Sequence, residues 1–279
     1  MHTIHPSGAF LKTDSNGYII SGASQDKIIP PWKEAVDDAV QVEVRRLGDR
    51  LHSLYLRGSV AQGKAVLGRS DIDLFAVLID EERASHQPLP WSEKELEDFY
   101  LRFPFLTSIE CSNIALAQVY GPFHYYRFVM KVSSVCVYGC DLLPTLADYT
   151  TDAPIAEEWF RIFPHLVNRF VREIQESTDN KHSERLCMDM MKTFLRSGML
   201  LVMRRQSAYT RDLYPSYQSF SSFYPEQEPA MKRCLELAVN PISSQQTLLP
   251  FVTNFAEWMH QAAEAELGVV ELLPASLIS

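Results

Sequence analysis

Two short apolar runs joined by a polar stretch constrain this chain more than any other feature. The first, Ser53-Leu54-Tyr55-Leu56, ends at Arg57-Gly58-Ser59, and the second opens at Asp71-Ile72-Asp73-Leu74. Eleven residues separate Ser59 from Asp71. Runs of this length and character predict buried strands, with Gly58-Ser59 as the bend that closes the first. Ile72 to Ile79 is apolar enough to lie inside a sheet. Side chains alternate along a strand, so Asp71 and Asp73 are expected on one face.

Two carboxylates held side by side repel each other unless a cation neutralises them. Hard oxygen ligands with open positions suit Mg²⁺, which keeps waters and takes further ligands from substrate phosphates. Gly58-Ser59 offers backbone N–H groups and a hydroxyl, the means by which a bend cradles phosphate. The residues therefore point to a site for a nucleoside triphosphate and a metal. A plainer reading stays open at this point, in which the bend is an ordinary turn and the acids solubilise a strand end.

Gly58-Ser59 followed by Asp71-Ile72-Asp73-Leu74 resembles the signature of the DNA polymerase beta-type nucleotidyltransferase superfamily. That signature also has a third acid between apolar residues on a later strand, and Glu110 in Thr107-Ser108-Ile109-Glu110-Cys111 matches it. The resemblance implies that Gly58 and Ser59 hold the triphosphate of ATP and that Asp71 and Asp73 bind Mg²⁺. It implies that Glu110 completes a second metal site or accepts the proton of the attacking hydroxyl. Ser108, Glu110 and Ser112 alternate with Ile109 and Cys111, which predicts Glu110 on the polar side of its strand. Arg57, Lys64 and Arg69 flank the motif, and Arg57 is the best placed to touch phosphate because it directly precedes the bend. The same residues also read as solvated loop charges, and Glu110 as an exposed strand residue.

Elsewhere the pattern divides the chain. Pro31 to Leu47 predicts a helix that stops at Gly48, and Ser92 with Glu95 predicts a capping box opening another. Ser108 to Val119 and Ser134 to Tyr138 read as strands, and Tyr125 to Val132 as a helix. From Ile155 onward the signals are helical: Ile155 to Glu176, Ser183 to Arg205, Pro229 to Val239 and Leu248 to Leu267. The break falls at Tyr149-Thr150-Thr151-Asp152-Ala153-Pro154. The expected fold is α+β. A nucleotidyltransferase domain over residues 1–150, a mixed sheet flanked by helices, precedes a helical bundle over 151–279. This layout resembles the streptomycin- and spectinomycin-modifying adenylyltransferases.

Two further groups of residues stand out in the helical half. Lys192 and Arg196 are four apart on one helix and share a face, which suits them to contact a triphosphate. Ala208 to Pro215 reads as an aromatic, charged connection between helices, and its Asp212 is a candidate to hold a cationic acceptor. A packed loop anchored by tyrosines is the other reading of that stretch.

Bulk properties narrow the partners. The formal net charge is −9, which disfavours extended nucleic-acid binding and favours cationic small molecules. Five cysteines without a framework spacing fit reduced thiols in a cytoplasmic protein. Neither a signal peptide nor a membrane span is expected. The leading expectation is therefore Mg²⁺-dependent transfer of AMP from ATP to a hydroxyl of a small, aminoglycoside-like molecule. Transfer to RNA or protein, and a non-catalytic nucleotide-binding signalling module, are the alternatives.

Overall fold

The structure is a computed structural model and describes residue 4 and residues 6–79, 91–121 and 123–268. The fold is α+β, and the chain divides into two compact units. One is Lys12–Tyr149, with the sheet. The other joins the chain up to Leu11 to the chain from Thr150 onward and is helical. The N-terminal segment is thus held in the helical unit, where Leu11 N–H donates to the Tyr209 carbonyl and Thr210 Oγ1 donates to the Ala9 carbonyl.

Among the described residues the sheet has four strands: β1 (Leu51–Arg57), β2 (Ile72–Leu78), β3 (Ile109–Ala115) and β4 (Ser134–Gly139). Their spatial order is β3-β2-β1-β4. β1 runs antiparallel to both neighbours, and β2 pairs parallel with β3. Each face of the sheet is covered. Leu54, Leu56, Ile72, Leu74 and Ala76 pack on one side with helix α1 (Trp32–Leu47). Tyr55, Phe75, Val77 and Ile114 pack on the other with Met130 of α5 (His124–Ser133). Burial on both faces explains why β2 reads as a near-continuous apolar run.

The remaining helices of this unit are short. α2 (Gly58–Ala61) is a single turn standing where the sequence predicts a plain bend. α3 (Glu93–Arg102) opens with the expected capping box, in which Ser92 and Glu95 satisfy each other's backbone N–H. α4 (Leu116–Val119) takes residues that the sequence assigns to a strand, so β3 stops at Ala115.

The helical unit contains α6 (Ile155–Glu176), α7 (Asn180–Gln206), α8 (Leu213–Phe223), α9 (Glu228–Val239) and α10 (Gln245–Leu267). α7 is central and touches each of the other four. α8 is the element the sequence reading lacks. Residues 208–212 do form a connection, but Leu213 begins a helix with Pro215 in its first turn, where a missing N–H costs no hydrogen bond. Among the described residues, no helix is long and apolar enough to cross a membrane.

Candidate functional site

Strand register brings the candidate acids together. On the parallel pair β2–β3, Asp73 stands directly opposite Glu110. On the antiparallel pair β1–β2, Arg57 stands directly opposite Asp73. Directly opposed residues share a face, so Arg57, Asp73 and Glu110 form a row across three strands. Glu110 thus lies on the same side of the sheet as Asp73, as the alternation of Ser108, Glu110 and Ser112 predicts. Asp71 lies one residue before β2 begins and is half-buried.

The row sits where an apolar face gives way to polar residues. Two residues further along β2 the same face carries Phe75 and then Val77, both buried. Arg57 bridges the two zones. Its Nε donates to both carboxylate oxygens of Asp73, at 2.8 and 2.9 Å, and its Nη2 donates to Ser112 Oγ at 3.0 Å. Its guanidinium lies over the Phe75 ring, 5.3 Å from the centroid. Side-chain exposures of 26% for Arg57 and 31% for Asp73 leave the pair within reach of solvent. The sequence suggests Arg57 as a phosphate contact, and in the structure it holds Asp73.

The bend completes the geometry. Gly58 has φ +80°, a conformation that L side chains rarely adopt. A Cβ at Gly58 would come within 3.9 Å of the Asp73 Cβ, which shows how closely the bend approaches the acid. Ser59 follows in the first turn of α2 and is half-buried. The stretch from Ser59 to Asp71 is tied down by its own backbone. Lys64 N–H donates to the Ser59 carbonyl, Ser70 N–H to the Val66 carbonyl, and Val66 N–H to Ser70 Oγ.

Behind the row lies a group that sequence reasoning missed. Glu43 of α1 is fully buried on the opposite face of the sheet. Trp91 Nε1 donates to Glu43 Oε1 at 2.6 Å, and Arg46 Nη1 reaches both carboxylate oxygens at 3.3 Å. Burial pushes the Glu43 carboxyl above its ordinary pKa, and the Trp91 hydrogen bond and Arg46 only partly oppose that. Cys111, next to Glu110 but on this opposite face, is also pushed well up, by burial first and by Glu43 second. The signal for Glu43 was present: it falls four residues after Ala39 and four before Leu47, on the apolar stripe of α1.

Metal-binding capacity can be tested against the donors themselves. Asp73 and Glu110 are register neighbours on one face, and carboxylate oxygens are the hard donors that Mg²⁺ takes. Among the described residues, no group of three or more His, Cys, Asp or Glu is gathered closely enough to hold a metal ion. The donor chemistry fits Mg²⁺, with Arg57 as the cation that neutralises Asp73 here.

The candidates in the helical unit stand as follows. Lys192 and Arg196 are both half-buried on α7. Asp212 is engaged by the N-terminal segment: Ala9 N–H donates to its Oδ2 at 2.9 Å. Gly8 lies so close that a Cβ there would fall 2.5 Å from the Asp212 Cβ.

No family model matches the sequence, and no curated protein does. Among solved structures, the fold is similar to spectinomycin adenyltransferase AAD(9) from Enterococcus faecialis, crystallised with ATP and spectinomycin. The alignment covers 83% of this chain and 99% of that one, at 13% identity and a TM-score of 0.46.

Proposed function

We propose that the chain is a Mg²⁺-dependent nucleotidyltransferase that moves AMP from ATP to a hydroxyl of a small cationic molecule of aminoglycoside type. The observation that carries this reading is the register of Asp73 against Glu110, with the Gly58-Ser59 bend closing on Asp73. Two acids side by side and a tight bend beside them suit a charged, phosphate-bearing substrate that arrives with a divalent cation.

Asp73 and Glu110 would hold Mg²⁺, which takes its other ligands from water and phosphate, and when bound it would neutralise the triphosphate and orient it for in-line attack. The chain's own residues carry the rest. The Gly58 and Ser59 backbone and the Ser59 hydroxyl bind phosphate oxygens. Arg57 orients the Asp73 carboxylate through paired hydrogen bonds and keeps its charge balanced. Glu110, beside a second carboxylate, is suited to accept the proton of the attacking hydroxyl. The net charge of −9 favours a cationic acceptor over a polyanionic one.

The test is incubation with labelled ATP, Mg²⁺ and a panel of aminoglycosides, with Asp73→Asn as the control. Label on an aminoglycoside that disappears in the variant supports the proposal. Label on RNA or on protein instead overturns the assigned acceptor. Release of pyrophosphate that is equal in native chain and variant overturns the assigned site.

A further inference from the structure

A second concave site lies wholly within the helical unit, between α9 and α10. It is an open groove with about 580 Å³ of accessible space. One wall is a single face of α10, bearing Thr247, Phe251, Asn254 and Trp258 at helical spacing. The facing wall carries Ala230 and Arg233 of α9, with Gln227 just before that helix.

Three features define what would fit there. Phe251, Phe255 and Trp258 form a ladder of nearly parallel rings, with successive planes 14° and 7° apart and centroids about 6 Å apart. The Arg233 guanidinium lies over Phe251, 4.7 Å from the ring centroid. Stacking on that face leaves the N–H edges of the guanidinium available as a planar donor fork. Finally, among the described residues Arg233 is the sole charged member of the lining, the other polar members being the amides Gln227, Gln246 and Asn254 and the hydroxyl of Thr247. The charge that lines the pocket is thus positive, in a chain whose overall charge is −9. Parallel rings select a flat ligand, the arginine selects an anion, and the amides supply hydrogen bonds around its edge.

We propose that this α9–α10 pocket binds a flat aromatic carboxylate, with the ring against the Phe251–Trp258 ladder and the carboxylate on Arg233. The site is independent of the nucleotidyl-transfer reading and needs neither ATP nor metal.

Intrinsic fluorescence gives a local readout. Trp32, Trp91 and Trp159 are each buried to 8% exposure or less, whereas Trp258 is half-exposed and lines the pocket. The full chain would be titrated with 2-naphthoate and with the neutral 2-naphthamide, following tryptophan quenching and, separately, heat by calorimetry. Saturable binding of 2-naphthoate is expected, with 2-naphthamide weaker by about tenfold, the scale of one charge-assisted hydrogen bond. Arg233→Gln should abolish that preference while Arg233→Lys retains part of it, and Trp258→Phe should remove the saturable quenching while calorimetric binding persists. Thermal melts of each variant check that the fold is intact. Equal affinity for the two compounds overturns the proposal, as does an acid preference that survives Arg233→Gln. Quenching that survives Trp258→Phe, or an absence of binding by calorimetry, overturns it as well. Sedimentation showing a dimer that Arg233→Gln dissolves would mean that a second copy, not a small anion, covers this face.

Discussion

Two carboxylate–arginine pairs occupy opposite faces of the same sheet and obey different physics. Asp73 and Arg57 meet at 2.8 Å with about a third and a quarter of their side chains exposed. Glu43 and Arg46 meet at 3.3 Å, and Glu43 is exposed not at all. Glu43 has its hydrogen-bonding capacity directed inward, to Trp91 and Arg46, and burial still disfavours its charge. Asp73 stays accessible, in a row with Glu110 and beside a glycine bend. A buried carboxylate that ties its helix to Trp91 serves the fold. An accessible pair whose partners are held in register leaves its carboxylate open to other partners. The contrast fits the proposed function, which puts the chemistry on the Asp73 face and leaves the Glu43 face as support.

The largest expected effect breaks the first pair. Asp73→Asn should lower nucleotidyl transfer by roughly 10²–10³-fold, as loss of one preorganised electrostatic group does. Single-turnover pyrophosphate release measures this. The melting temperature should hardly move, because partly exposed ion pairs contribute about 0–1 kcal/mol. Unfolding of this variant would place Asp73 in the same class as Glu43.

The second pair should behave in the opposite way. Glu43→Ala leaves the buried Trp91 Nε1 without its Glu43 acceptor, and should cost about 1–3 kcal/mol in a denaturant titration. Transfer per folded molecule should be unchanged. A smaller effect is expected from Arg57→Gln: a loss of stability under about 1 kcal/mol. Its turnover should fall by about tenfold, because Asp73 loses a charge-assisted partner.

The smallest effect is a pH dependence. The folded pKa of Glu43 is raised, so between its unfolded and folded values the folded chain holds more protons than the unfolded one. Stability contributed by this group is therefore present below the ordinary carboxylate range and is lost as pH rises through the folded value. Glu43→Gln keeps an acceptor for Trp91 and removes the titration. Melts across the acid range should show the variant gaining on the native chain as pH rises. A constant offset would mean that Glu43 does not sense its burial.

Much of the sheet face was legible because strand alternation is a short-range rule. Glu110 and Ser112 betray their common face without any knowledge of neighbours. The partner of Arg57 was not legible, because it depends on which strand pairs with β1 and in what register, and that is set across the sheet. Glu43 was hidden by the habit of reading a charged residue as solvent-facing, although its spacing places it on the apolar stripe. α8 escaped because Pro215 looks like a breaker, and the run Ser219-Phe220-Ser221-Ser222-Phe223 has poor intrinsic helix propensity. Packing of Phe220 against Phe255 and Trp258 supplies what local preference lacks. α4 escaped for the opposite reason: a continuous apolar run carries no period by which to tell strand from helix.

The central claim is that the row of Asp73 and Glu110 beside the Gly58-Ser59 bend receives a nucleoside triphosphate together with Mg²⁺. Calorimetric titration of the full chain with ATP, with and without Mg²⁺, tests it without reference to any acceptor. The account predicts saturable ATP binding that depends on Mg²⁺ and is lost in Asp73→Asn. ATP affinity that is the same with and without the ion, or that survives in the variant, would contradict it.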